Sequence, residues 1–171
     1  MKLNKFFFKS VTSTNDVALK KIKKGINSGI IISKKQTKGR GKYGNKWIYM
    51  KDNLFMSIFF ILNEKISLKK ITLISCKIVK KSLLNLLNKK IEIKQPNDLL
   101  VDKKKICGIL QETVFYDNNK FVIIGVGINV EKSPTIKNYP TTHLNFYKKK
   151  KLTNYKVYNE IKKNFEKYLK T

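Results

Sequence analysis

Residues 36–47 read QTKGRGKYGNKW, and the rest of the chain is organised around this stretch. It holds three of the eight glycines, the only tryptophan (Trp47) and the only arginine (Arg40) among 38 basic residues. A guanidinium is planar and always charged, and it binds an oxyanion through two parallel hydrogen bonds, which an ammonium cannot do. Glycine on both sides of Arg40 lets backbone N–H groups approach a ligand closely. The stretch predicts a loop that wraps a small anionic or phosphorylated ligand, the alternative being a flexible basic surface loop.

The composition is that of one folded domain with an extreme positive charge. The chain has 171 residues, of which 42% are hydrophobic and 11% aromatic, and its formal net charge is +27. This charge favours nucleic-acid binding, but the lysines are scattered over the whole length rather than gathered in one arm or helix. Lys, Asn and Ile all have A/T-rich codons, so mutational bias is the other explanation. Whether the charge is functional stays open.

The cysteines and the apolar segments bear on the compartment. Cys76 and Cys107 have neither metal-ligand spacing nor a disulfide framework, which predicts two buried thiols in a reducing environment. The apolar run near the start is too short for a signal peptide. The longest apolar segment, 54–62, is far short of a membrane span. The expectation is a cytoplasmic protein without a membrane partner.

The hydrophobic pattern predicts helices at both ends and in the middle, around a sheet built largely from hairpins. The helices are expected to begin at Ser13 or Thr14, at Ser67 and at Asn154, where apolar residues recur at helical spacing. Strands are expected over 30–33, 54–62, 91–94, 99–101, 106–114 and 121–130, with tight turns at 102–105 and 116–119. The predicted class is α/β (α+β), with a mixed, largely antiparallel sheet flanked by helices. The hairpins argue against a doubly wound parallel nucleotide-binding fold.

Three further clusters of chemically active residues accompany the loop. They are the helix start Ser13-Thr14-Asn15, the pair 94–98 (KQPND) and 105–110 (KICGIL), and 125–129 (GVGIN). A lysine just inside an apolar strand and next to a glycine indicates a cation aimed at a ligand. Glycines in a buried strand indicate the close approach of a ligand or another backbone.

Together and in this order, the clusters resemble the biotin–protein ligase family. The motifs shared are Ser-Thr-Asn, Gln-x-x-Gly-Arg-Gly-x-x-Gly-x-x-Trp, Lys-x-Pro-Asn-Asp, Lys-x-x-Gly-Ile-Leu and Gly-x-Gly-Ile-Asn. The resemblance covers residues 10 to about 130, with a looser Thr-His-Leu stretch at 142–144. One such motif would be weak, but five in register are specific.

The resemblance implies a fold related to class II aminoacyl-tRNA synthetases and lipoate ligases, and a two-step reaction. The biotin carboxylate attacks the α-phosphate of MgATP to give biotinyl-5′-adenylate and pyrophosphate. A lysine amine of a carboxylase's biotin carrier domain then attacks the mixed anhydride and releases AMP. The implied ligands are biotin, ATP and Mg²⁺, and the implied partner is that carrier domain.

The resemblance also implies roles for individual residues. Arg40 and Lys42 would cover the carboxylate and phosphate, and Lys105 would stabilise charge at the attacked phosphorus. Asp98 would face Mg²⁺. The residues implied in binding the small molecules are Ser13, Thr14, Asn15, Gln36, Gly39, Gly41, Trp47, Lys94, Asn97, Gly108, Gly127 and Asn129. Of these, Ser13, Thr14 and Gln36 would meet the ureido ring, Trp47 the nucleotide side, Lys94 and Asn97 the phosphates, and Asn129 the adenine or ribose.

The chain departs from the family pattern in several places. Lys42 stands where a second arginine is usual, Asn45 where a third basic residue is common, and Gln95 where an aromatic is usual. Lys42 keeps the charge but loses the bidentate fork, which predicts weaker retention of the adenylate, by about 1–2 kcal/mol if one charge-assisted hydrogen bond is lost. We expect a catalytic domain over 1–171. An N-terminal winged helix is not expected, and specific DNA binding is therefore not expected either. A small C-terminal barrel is also not expected.

Two other functions stay open. A lipoate– or octanoate–protein ligase shares the fold, although the Arg-rich, triple-glycine motif followed by His is missing here. A basic nucleic-acid-binding protein without catalysis is the alternative from another class, and it predicts steep salt dependence of binding. Neither the oligomeric state, with a homodimer possible, nor the acceptor beyond its class follows from the residues. His143 is interpreted as structural or on the surface.

Overall fold

The computed structural model describes residues 2–63 and 65–170, which form a sheet with helices on both faces. The strands are β1 (Asn4–Phe8), β2 (Ser28–Ser33), β3 (Leu54–Ile61), β4 (Glu92–Lys94), β5 (Asp98–Val101), β6 (Lys104–Tyr116) and β7 (Asn119–Ile128). The helices are α1 (Thr14–Ile22), α2 (Leu68–Leu84) and α3 (Asn154–Tyr168). Short 3₁₀ turns cover Lys42–Gly44 and Leu144–Tyr147.

The strands lie in the order β1-β2-β3-β7-β6-β5-β4. The pair β1/β2 is parallel, and every other pair in the sheet is antiparallel. The predicted mixed, largely antiparallel sheet is therefore confirmed. The sequence pattern does not predict β1, because its three consecutive phenylalanines show no alternation and its partner lies more than twenty residues away.

Local sequence chemistry accounts for the turns and helix starts. Both hairpins close through two residues with positive φ, 102–103 and 117–118. Asp and Asn, at three of these four positions, tolerate this conformation in a two-residue loop, and Lys103 is the fourth. Ser67 caps α2 by accepting a hydrogen bond from the N–H of Lys70. Thr153 caps α3 in the same way. The predicted tight turns and the predicted helix starts at Ser67 and Asn154 are confirmed; the cap at Thr153 was not predicted.

Each face of the sheet has its own core. The larger core packs α2 and α3 against one face, with Ile58, Ile124 and Phe165 fully buried. On the other face, Ala18 and Ile22 of α1 pack against the sheet, while Val17 and Leu19 are only partly buried.

The face that carries α1 has a hollow at its centre. Cross-strand partners point to the same side of a sheet, and four small residues meet there: Gly127 opposite Gly108, and Gly125 opposite Ser57. Without large side chains at these positions, the sheet leaves a hollow beside the start of α1. This hollow positions the site.

Candidate active site

A cavity of about 600 Å³ occupies the hollow. Every site residue named from the sequence lines it except Gly39. Gly39 lies behind the wall, where an added Cβ would come 2.7 Å from the carbonyl oxygen of Trp47. Fold and loop therefore bring together residues that are more than a hundred positions apart in the chain.

One end of the cavity is buried and polar. Gln36 Oε1 accepts hydrogen bonds from Thr14 N (2.8 Å) and Thr14 Oγ1 (3.1 Å). Beneath them, Ser57 Oγ lies 2.7 Å from Thr14 Oγ1 and 2.5 Å from Asn15 Oδ1. Ser57 is fully buried, and it supports the helix start from the sheet.

Ser13 holds the N-cap position of α1, as expected, but its side chain makes no capping hydrogen bond. The residue is buried and lines the cavity. Its hydroxyl is therefore available to a ligand rather than committed to the helix.

The glycines of β6 and β7 make room for protein side chains. A Cβ on Gly108 would lie 2.7 Å from Trp47 Cζ3, and one on Gly125 would lie 2.6 Å from Asn15 Oδ1. The indole of Trp47 therefore packs directly on the Gly108/Gly127 backbone. The close approach expected from these glycines is real, but side chains of the cavity wall make it. Trp47 Nε1 is buried with no hydrogen-bond acceptor among the described residues.

The opposite end of the cavity is basic and aromatic. Lys105 Nζ lies 2.9 Å from Asp98 Oδ1, and the two side chains are 19% and 15% exposed. Tyr139 donates its hydroxyl to Asp98 Oδ2 at 2.6 Å. Lys105 Nζ also lies 5.4 Å from the ring centres of Trp47 and Tyr139, and Lys94 Nζ lies 4.3 Å above the latter. Burial, followed by the bond to Asp98, raises the pKa of Tyr139 above its ordinary value.

Asp98 Oδ2 thus accepts from Tyr139, whereas Oδ1 is ion-paired with Lys105 but buried without a hydrogen bond among the described residues. Within residues 2–63 and 65–170, no group of three or more His, Cys, Asp or Glu side chains is placed to hold a metal ion. Mg²⁺ is usually bound through one or two carboxylates together with substrate phosphates, and the implied contact of Asp98 with Mg²⁺ stays a prediction.

The two asparagines assigned to the nucleotide side also make structural bonds. Asn97 Nδ2 donates to the carbonyl of Ile109 at 2.7 Å. Asn129 Nδ2 donates to the carbonyl of Thr142 at 3.1 Å, and its Oδ1 lies 3.4 Å from Asn53 Nδ2. Both residues line the cavity while fixing the loops around it.

Arg40 is held by two carboxylates. Its Nη2 lies 2.8 Å from Asp16 Oδ1 and 3.2 Å from Glu112 Oε1. Asn15 Nδ2 donates to Glu112 Oε2 at 2.6 Å. The hydrogen bond to Asp16 contributes most to raising the pKa of Arg40. Lys42 also lines the cavity, and it takes part in no ion pair with the residues that the structure describes.

The remaining reactive side chains do not form a nucleophile–base pair in the cavity. Cys76 and Cys107 are buried free thiols, as predicted. Burial, and then the charge of Asp98, raises the pKa of Cys76 to about 11, so its thiol stays protonated at neutral pH. His143 is absent from the cavity lining and stands beside Ser133 and Phe146.

Four residues of the site were not predicted from the sequence: Asp16, Ser57, Glu112 and Tyr139. Glu112 had a signal, because it is one of eleven acidic residues in a basic chain and interrupts an apolar strand. Asp16 lies in the first turn of α1, where an acidic residue indicates only a helix start. Ser57 and Tyr139 had no local signal.

Among the described residues, no helix is both long and apolar enough to cross a membrane.

Comparisons with known proteins agree on one family. Residues 7–129 match the model of the biotin/lipoate A/B protein ligase family. The bifunctional ligase/repressor BirA of Bacillus subtilis is 36% identical over 110 residues, which are 61% of this chain and 33% of that protein. The chain thus spans about a third of the length of this curated relative.

Two solved structures are similar over nearly the whole chain. Biotin protein ligase from Leishmania major, in complex with biotinyl-5-AMP, has a TM-score of 0.80 and 26% identity, covering 94% of this chain and 72% of that one. The Aquifex aeolicus enzyme, in complex with biotin and ATP, has a TM-score of 0.79 and 27% identity, covering 98% and 70%. With the matched family model, these likenesses establish the relationship: the chain belongs to the biotin/lipoate A/B protein ligase family.

Proposed function

We propose that this chain is an ATP-dependent biotin–protein ligase. It activates biotin as biotinyl-5′-AMP and transfers the biotinyl group to a lysine of a carboxylase's biotin carrier domain. The observation that carries the proposal is the cavity itself, which has a buried polar pocket at one end and a cluster of lysines and aromatic rings at the other. A molecule with a polar ring and a carboxylate tail, joined to a nucleotide, matches this order of groups. The related ligases that bind biotin and ATP or biotinyl-5-AMP support it.

The polar end favours biotin over lipoate. Ser13, Thr14 and Gln36 present hydroxyl and amide groups where biotin would place its ureido ring. Lipoate would place an apolar dithiolane there and leave the Ser13 hydroxyl, which makes no capping bond, without a ligand partner, at a cost of about 1–3 kcal/mol for such an unpaired group.

The first step needs positioning and charge neutralisation rather than a protein nucleophile. A biotin carboxylate oxygen attacks the α-phosphorus of ATP, the bond from that phosphorus to the bridging oxygen breaks, and pyrophosphate leaves. Lys105, held in place by Asp98, neutralises the negative charge that builds up on the phosphoryl oxygens. Lys42 supplies a second cation from the loop. Mg²⁺ enters only as the counter-ion of the substrate ATP, and no step here is assigned to a protein-bound metal.

In the second step, the neutral amine of the acceptor lysine attacks the acyl carbon of the adenylate. The bond from the acyl carbon to the phosphate oxygen breaks, AMP leaves, and the amine loses one proton. The loop 36–47 shields the anhydride from water until the acceptor arrives. Trp47 closes the nucleotide side, with its indole packed on the glycines of β6 and β7.

Replacing Thr14 by valine tests the polar pocket. Valine keeps the volume but removes the hydroxyl that bonds Gln36 and Ser57, so the biotin dissociation constant should rise about 10-fold or more, as expected for a lost buried hydrogen bond. Isothermal titration calorimetry measures it. Thr12→Val, at an exposed neighbouring position, is the matched control and should leave biotin affinity unchanged. Equal biotin affinity in the two variants would show that the Thr14 hydroxyl does not contribute to biotin binding.

The proposed reaction is tested by incubating the protein with biotin, MgATP and a purified carrier domain, then weighing the domain by mass spectrometry. A biotinyl mass increase on one lysine is expected, and none without ATP. A parallel reaction with lipoate separates the two ligase activities, and transfer of lipoate alone would refute the proposal. A thermal melt with biotin plus MgATP should show a larger shift than either alone. A nucleic-acid-binding protein without catalysis would show none.

A further inference from the structure

We propose that Glu112 is a positioning residue for the glycine-rich loop, and that Arg40 is the loop's anchor rather than its ligand-binding cation. Glu112, with Asp16, holds the guanidinium, and this fixed point sets where the following residues of the loop stand. Lys42, which lines the cavity as Lys46 does, then becomes a loop cation that faces the ligand. The inference deepens the proposed function, on which its ligand readout rests.

The first support is the geometry around Arg40. One guanidinium nitrogen lies 2.8 Å from Asp16 Oδ1, 3.2 Å from Glu112 Oε1 and 3.4 Å from Glu112 Oε2. Asp16 belongs to α1 and Glu112 to β6, so the contact ties the loop to two separate elements. The two carboxylates, each more than a third exposed, offset part of the charge that the guanidinium presents to a ligand carboxylate or phosphate.

The second support is that Glu112, which contacts Arg40, is also hydrogen-bonded to the residues of the polar pocket. Glu112 Oε2 accepts from Asn15 Nδ2 at 2.6 Å, and Asn15 Oδ1 lies 2.5 Å from Ser57 Oγ. Ser57 continues to Thr14, and Thr14 to Gln36, which is the first residue of the loop. The start and the middle of the loop are therefore fixed by one hydrogen-bonded chain.

The third support is the position of Lys42 in the loop, between Arg40 and Trp47. Beyond Arg40 the chain turns over Lys42–Gly44, with Tyr43 at φ 55° and 92% exposed. Trp47 then packs on the glycines of β6 and β7. Lys42 thus lies between two fixed points, lines the cavity, and forms no ion pair with any described residue.

Charge gives the contact a second consequence. Without Arg40, two carboxylates would stand beside a site for anionic substrates and repel them. Loss of Arg40 should therefore impair the enzyme even if the guanidinium never touches the ligand. A single Arg40 variant cannot separate the two roles, but combining it with a Glu112 variant can.

The test uses Lys-C proteolysis of the ligand-free protein, with cleavage sites identified by mass spectrometry. This protease cuts after lysine, so Arg40→Gln leaves the number of sites unchanged. Glu112→Gln keeps the shape and the acceptor for Asn15 but removes the charge. Each single variant should speed cleavage after Lys42 and Lys46 about 3- to 10-fold, the range for a partly exposed ion-pair network. Lys-C should cleave the double variant no faster than it cleaves the more rapidly cleaved single variant.

Dissociation of synthetic biotinyl-5′-AMP, followed by displacement, should show the same non-additive pattern. Glu92→Gln is the matched control: it breaks a 3.0 Å pair with Lys90 far along the sheet from α1 and should change neither readout. Cleavage at wild-type rate in Glu112→Gln would overturn the inference. So would faster adenylate release in Arg40→Gln with unchanged cleavage, because the loop would then be held in place without the Arg40 contact. Accelerated cleavage in a protein that binds no biotin would refute the proposed ligase function and leave the anchor standing.

Discussion

Replacing Lys105 by methionine should lower the rate of biotinyl-5′-AMP formation by about 10²–10³-fold, the usual effect of removing a preorganised group that stabilises transition-state charge. The Lys105 side chain is 19% exposed, and its ammonium lies 2.9 Å from Asp98 and 5.4 Å from the ring centres of Trp47 and Tyr139. Methionine keeps the length of the side chain and removes the charge. Single-turnover release of pyrophosphate, dependent on biotin, measures the rate.

The partner of Lys105 calls for a second variant. Removing the ammonium leaves Asp98 as an uncompensated and largely buried carboxylate, which costs stability in addition to activity. Lys105→Met combined with Asp98→Asn should recover the free energy of unfolding without recovering the rate. Lys104→Met is the matched control, because Lys104 is the exposed neighbour on the same strand. A rate in Lys105→Met within threefold of that of Lys104→Met would exclude Lys105 from the chemistry.

Replacing Gly127 by alanine should raise the KM for ATP by about 10- to 100-fold, because a small displacement at a reacting site has effects of this size. The added methyl group would lie 2.7 Å from Trp47 Cζ2, closer than side chains tolerate, so the indole must move. Overpacking of this kind also costs about 1–3 kcal/mol of stability. Steady-state kinetics with varied ATP, together with chemical denaturation, measure both effects.

A double variant shows whether the indole is the cause. The clash is absent once Trp47 is alanine, so adding Gly127→Ala to Trp47→Ala should lower the free energy of unfolding no further than Trp47→Ala does alone. The KM of the double variant for ATP should stay high, since the wall of the nucleotide side is missing. If Gly127→Ala alone leaves both quantities unchanged, the packing of Trp47 does not control the nucleotide end.

Much of the fold follows from local patterns. The caps at Ser67 and Thr153, the tight turns after Val101 and Tyr116, and the alternation in the long hairpin are all properties of neighbouring residues. The edge strand β1 is different, because its pairing with β2 depends on a segment that is distant in sequence.

The candidate site divides in the same way. The motifs predict which residues gather, and the structure brings nearly all of them to one cavity. They do not predict what each residue touches. From its neighbours in sequence, Arg40 is predicted to bind the ligand through its guanidinium, yet its partners in the structure are Asp16 and Glu112. Gly127 is predicted to let a ligand approach the strand closely, yet the indole of Trp47 occupies that space.

What the sequence by itself determined is therefore the family, the sheet-and-helix class and the residues that form the cavity, with residues 36–47 at their centre. The tertiary structure alone decided the partnerships: Arg40 between two carboxylates, the indole on paired glycines, and Tyr139 on Asp98. The physical reason is that helix and turn propensities act over a few residues, whereas these contacts join residues 24 to 80 positions apart. They depend on strand register and on the side of the sheet to which each side chain points.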